Sequence, residues 1–112
     1  MTRIRVAVLT TAAVLGVAFV TVALAAPTPL AGTVGPGFTI SMKKPTKAGA
    51  YKLTVNDKSS IHNFRITGPG VSKSTSVGKT GKTTWTLTFR KGTYKFVCDP
   101  HADSMKGSFK LK

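Results

Sequence analysis

The chain has 112 residues, enough for one domain with one core and too few for a separate cofactor-binding domain. Seventeen Lys and Arg stand against three acids, Asp57, Asp99 and Asp103, for a formal charge of +14. With no Glu and two histidines, the chain is poorly provided for acid–base hydrolysis.

Residues 1–25 read as a secretory signal. Arg3 and Arg5 form a basic start, Val6 to Leu24 an almost unbroken apolar run, and Ala23-Leu24-Ala25 a small-residue cleavage motif, with cleavage after Ala25. A run of about 19 apolar residues also nearly spans a bilayer, so an uncleaved anchor that tethers the domain to a membrane is the alternative. Loss of Arg3 and Arg5 leaves 15 basic and three acidic residues, a formal charge of +12. In an exported protein whose lysines are scattered through strands and turns, this charge does not point to nucleic acid. It suits an acidic docking surface on a partner protein or an anionic envelope surface, and it serves solubility in any case. Export also isolates Cys98: a single Cys forms no internal disulfide, and a lone thiol in an oxidising compartment needs burial or ligation.

Residues 26–37 are rich in Pro and Gly and read as a short tether. From Phe38 onward, apolar and polar residues alternate in short runs. Phe38, Ile40 and Met42 share one parity, as do Tyr51, Leu53 and Val55. The same holds for His62, Phe64 and Ile66, for Trp85, Leu87 and Phe89, for Tyr94, Phe96 and Cys98, and for Phe109 and Leu111. A period of two marks half-buried strands. Turn-rich segments separate them: 45–49, 56–60, 68–70, 78–82 and 90–92. Residues 73–84 read as a surface excursion. Six or seven such strands predict an all-β fold, a two-sheet antiparallel β-sandwich spanning residues 38–112. The two Gly-Lys-Thr strings at 78–80 and 81–83 lack the earlier Gly and the following helix of a phosphate-binding loop.

The chemistry concentrates in Cys98-Asp99-Pro100-His101-Ala102-Asp103-Ser104-Met105, which offers a thiolate, an imidazole and a thioether at the end of a strand. The parity that turns Tyr94 and Phe96 inward turns Cys98 inward too. The second imidazole is His62, on a strand whose Phe64 and Ile66 point inward. Taken singly, each residue has a plainer reading: a buried hydrophobe, a core histidine, a loop histidine, a core plug. Taken together, two His, one Cys and a Met form the ligand set of type 1 (blue) copper. Copper ligation would also hold Cys98 as a protected thiolate. A zinc site from the same residues is less apt, because thioether is a poor zinc ligand and structural zinc takes four strong ones.

The run from Gly92 to His101, followed by Met105-Lys106-Gly107 and the strand to Leu111, resembles the C-terminal hairpin of the plastocyanin/pseudoazurin cupredoxins. Ile61-His62-Asn63-Phe64 resembles their first ligand strand. The resemblance implies a Greek-key cupredoxin sandwich with one copper ion, held by His62, Cys98, His101 and Met105. It implies that Asn63 ties the first ligand strand to the Cys loop, and that the edge of His101 serves as electron port. Two features depart from the family. Plastocyanin-like loops place four residues between His and Met and amicyanin-like loops two, whereas Ala102-Asp103-Ser104 makes three. Asp99 sets a carboxylate beside Cys98, which favours Cu(II) and a lowered potential.

The expected function is that of a monomeric one-electron carrier that is not an enzyme and meets a redox partner protein. Buffering or delivery of copper without rapid redox turnover uses the same ligands and is the alternative. Copper oxidases and nitrite reductases need further histidines, which the chain lacks.

Overall fold

The computed structural model describes residue 7, residues 9–19 and residues 25–112. Arg3, Arg5, Ala23 and Leu24, on which much of the signal reading rests, lie outside the described residues. Residues 9–19 carry neither helix nor strand, and among the described residues no helix is long and apolar enough to cross a membrane.

Eight strands follow in order: β1 Thr28–Val34, β2 Ile40–Met42, β3 Gly49–Asp57, β4 Arg65–Gly68, β5 Val71–Ser74, β6 Gly81–Phe89, β7 Gly92–Val97 and β8 Lys106–Leu111. A 3-10 turn at Asp99–His101 interrupts the last pair. They form two four-stranded sheets, β2-β1-β3-β6 and β5-β4-β7-β8, packed face to face as the alternating pattern predicts. The inward parity of each strand fills the space between: Leu53 and Val55 of β3, Ile66 of β4, Leu87 and Phe89 of β6, Tyr94 and Phe96 of β7, and Phe109 and Leu111 of β8 are all buried. Each such side chain contributes about 1.5–3 kcal/mol through apolar area removed from water. Phe64 stacks on Phe96 at 5.8 Å, and Tyr94 on Phe109 at 5.1 Å.

Two glycines make the second sheet's packing feasible. A side chain at Gly68 would run into the Tyr94 ring and one at Gly107 into the Phe96 ring, so each aromatic lies over bare backbone of the neighbouring strand. The Tyr94 hydroxyl accepts a hydrogen bond from Arg90 N (2.9 Å) and shares its proton between Arg90 O (3.0 Å) and Pro69 O (3.1 Å). It thereby closes the end of the sandwich remote from Cys98.

The segment 26–37 differs from the tether read from its composition. Thr28–Val34 is an interior strand between β2 and β3, and it runs parallel to β3 in the register Thr28↔Tyr51 to Val34↔Asp57. Leu30, Gly32 and Val34 are buried while Pro29, Ala31 and Thr33 face out, a weak period-two signal hidden by small residues. The sandwich therefore contains one parallel pair. Phe38 also departs from its expected inward parity: β2 begins only at Ile40, and Phe38 sits in the β1–β2 loop, 62% exposed. The excursion is shorter than read, since Val71–Ser74 pairs with β4 and Gly81 already belongs to β6.

Candidate metal centre

β1, β3 and β7 all run toward the same end of the sandwich, and the loops that leave them there build the site. β7 delivers Cys98 inward, fully buried. Its N–H donates to Met105 O (3.0 Å), which closes the loop as the two strands part. Pro100 fits the first positions of the 3-10 turn, where its missing N–H costs nothing. His101 N then donates to Cys98 O (3.1 Å), and Met105 N to His101 O (2.8 Å). That last contact is a single i to i+4 turn. With three residues between His101 and Met105, this turn returns the chain to the end of β7, where Met105 is fully buried and its carbonyl accepts the Cys98 N–H.

His62 precedes β4 rather than lying on it, but parity still holds, and His62, Phe64 and Ile66 are all completely buried. Asp57 Oδ1 accepts the Ser59 N–H (2.9 Å) and shapes the turn that leads in. His62 Nε2 donates to Gly37 O (2.9 Å), which fixes the proton on Nε2 and leaves Nδ1 as a lone-pair donor.

That lone pair faces the two other candidates. His62 Nδ1 lies 3.1 Å from His101 Nδ1 and 3.7 Å from Cys98 Sγ, and the remaining edge, Cys98 Sγ to His101 Nδ1, is 3.6 Å. A point about 2.0 Å from all three atoms lies at the centre of this triangle, close to the ~2.0–2.3 Å of metal–nitrogen and metal–sulfur bonds. Two nitrogens and a sulfur converging on one buried point are a fitting donor set for copper. Of the four residues singled out from sequence, three supply atoms to this triangle, and Met105 is fully buried at the end of the loop that carries two of them.

Sequence reasoning missed the β1–β2 loop. Gly35, in a left-handed conformation (φ 67°), donates to Thr39 O (2.8 Å), and the tight loop so formed supplies both Gly37 O to His62 and the Phe38 ring. Phe38 stands edge-on to both imidazoles, 5.3 Å from His62 and 4.9 Å from His101, and covers the half-buried His101. Reading Pro29 to Gly37 as a strand followed by a turn would have located it.

Asn63 makes the tie expected of it. Its Oδ1 accepts the Asp99 N–H (2.7 Å) and its Nδ2 donates to Asp99 Oδ2 (2.7 Å) and Thr75 O (3.2 Å). Thr75, from the segment read as an excursion, holds Phe64: its N–H donates to Phe64 O and its hydroxyl oxygen accepts the Phe64 N–H, both at 2.9 Å. Asp99 is not a lone negative charge. Arg65 Nε and Nη2 donate to it at 2.9 Å. These hydrogen bonds hold its carboxyl below the usual carboxylate range against an opposing effect of burial, with the Asn63 amide and the Arg65 charge acting in the same direction. Reciprocally, the hydrogen bond to Asp99 and its charge raise Arg65.

Residues 40–112 match the family model described as copper binding proteins, plastocyanin/azurin family. In three dimensions the chain is similar to a crystal structure of rusticyanin variants, with a TM-score of 0.57, 24% identity and 80% of each chain covered. It is also similar to the NMR structure of reduced rusticyanin, with a TM-score of 0.53, 24% identity, and 75% of this chain and 76% of that one covered. No curated protein matches it in sequence.

Proposed function

Since the chain belongs to the plastocyanin/azurin family of copper-binding proteins, we propose that it is an exported one-electron carrier rather than an enzyme. In this reading His62 Nδ1, Cys98 Sγ and His101 Nδ1 would hold the ion, and the Met105 thioether would be a fourth, weaker donor. Copper supplies the Cu(I)/Cu(II) couple when bound. The protein's own residues do the rest. Cys98, buried at the end of β7, is sheltered from oxidation as a thiolate. Gly37 O keeps His62 in the ligating tautomer, and Asn63 holds the Cys loop against the first ligand segment. Phe38 keeps water off His101, whose ring lies between the site and the surface.

The single observation that carries this reading is the triangle of donors already closed around one point. A site so preformed needs little rearrangement when the oxidation state changes, which favours electron carriage over the open, exchanging site that delivery of the metal requires. Export is supported by the N-terminal pattern and by a lone Cys kept fully buried. A charge of +12 without the first 25 residues favours an acidic docking surface on the partner and a working monomer.

The Cu(II) protein is expected to be intensely blue or green from thiolate-to-copper charge transfer, and Cys98→Ser to abolish the colour. A colourless complex, or one with only weak d–d absorption, overturns the assignment. Carriage is tested apart from the spectrum: electron transfer to an acidic acceptor should slow steeply as salt is added. A salt-insensitive rate together with slow self-exchange points to copper buffering or delivery instead.

A further inference from the structure

The Arg65–Asp99 pair sits where the two halves of the site meet. Arg65 opens β4, three residues after His62, and is in register with Val97, the residue before Cys98. Asp99 is the residue after Cys98. Asp99 Oδ1 and Oδ2 lie 2.9 and 3.1 Å from Arg65 Nε, and Oδ2 lies 2.9 Å from Nη2. The forked guanidinium thus grips both carboxylate oxygens in the geometry that Lys lacks. Asn63 completes the junction from the same segment. Among the described residues this is the sole ion pair within 4.0 Å. In a domain with three acids against 15 cations, the one carboxylate that is paired is the one adjoining the candidate thiolate.

We propose that Arg65 is a positioning residue that acts on the copper site through Asp99 in two separable ways. Its charge cancels that of Asp99, so the carboxylate beside Cys98 does not bias the ion toward Cu(II). Its two-pronged grip holds the Cys98–Met105 loop against the His62 segment before any metal arrives. Charge cancellation is the electrostatic part and depends only on a cation being present. The grip is the geometric part and depends on the guanidinium fork. Side-chain exposures of 42% and 39% leave the pair open to solvent, so the electrostatic part weakens with ionic strength.

Three variants separate these roles, and none of them depends on the protein being an electron carrier. Arg65→Gln leaves Asp99 uncompensated and should lower the reduction potential of the copper-loaded protein. Asp99→Asn leaves Arg65 uncompensated and should raise it. The double variant should return close to the parent value, because the two effects arise from one pair. Arg65→Lys keeps the charge and loses the fork. It should keep the parent potential, while amide hydrogen exchange of residues 98–105 in the metal-free protein speeds up several-fold. The shift in Arg65→Gln should shrink as salt rises. Single variants that move the potential in the same direction, or not at all, overturn the electrostatic role. Unchanged exchange in Arg65→Lys and Arg65→Gln overturns the grip.

Discussion

The Phe38 ring stands edge-on to the His101 imidazole, with centroids 4.9 Å apart and planes at 87°. The ring is itself 62% exposed and lies against an imidazole that is only half-buried, so it stands between part of His101 and solvent.

Phe38→Ala should therefore admit water to His101 and lower the reduction potential, because solvent favours the more highly charged Cu(II). The thiolate band should persist, since neither Cys98 nor a histidine is altered. Phe38→Leu should give a smaller drop. Voltammetry alongside a visible spectrum reads both, and an unchanged potential would show that the ring does not seal the site.

Met105→Leu conserves volume in a fully buried position, so metal-free stability should fall by less than about 1.5 kcal/mol. With copper bound, removal of the thioether should raise the potential while the protein stays coloured. If stability changes but the potential does not, Met105 is a core residue and not a donor.

Tyr94→Phe removes the hydroxyl that joins Arg90 and Pro69 at the far end of the sandwich. Loss of these bonds should destabilise the protein by about 1–3 kcal/mol in urea unfolding. The copper spectrum should be unaffected, and a changed spectrum would show that the two ends are coupled through the core.

Asp99 is held below its unfolded value of about 3.9 by the Arg65 hydrogen bond, with burial opposing. A carboxylate depressed in the folded state stabilises above the unfolded pKa, and the contribution fades as pH falls through the folded one. Asp99→Asn should thus lower the urea midpoint of the metal-free protein by a constant amount near neutral pH, and by progressively less below about pH 3.9. An undiminished gap in acid would assign the effect to something other than the carboxylate's charge.

The sandwich and the ligand loop were legible because period-two runs of large apolar residues are strong signals, and because Cys98, His101 and Met105 lie within eight residues of one another. β1 was not, since its inward residues include Gly32 and its outward ones Pro29 and Ala31, so composition masks the alternation. Phe38 was misplaced for a related reason. Parity can be extended backward from Ile40 only while the chain is extended, and the tight turn from Gly35 to Thr39 breaks the phase. Arg65 escaped notice because its role depends on pairing β4 with β7, a register that no local pattern encodes. The carboxylate at Asp99 was visible, but its neutralising cation, 34 positions away, was not.

β1 enters the domain at Thr28, level with Tyr51, and runs seven residues, about 20 Å, to Val34 beside the loop that cradles His62 and His101. The polypeptide ahead of Thr28 consequently joins the sandwich at the pole opposite the candidate metal site. Whatever is fused, trimmed or immobilised at that pole leaves the Phe38 face pointing outward. Grafting the chain to an electrode through its leading segment should orient every molecule with its candidate copper site toward solution, whereas grafting through the loop 99–105 should bury that site against the support.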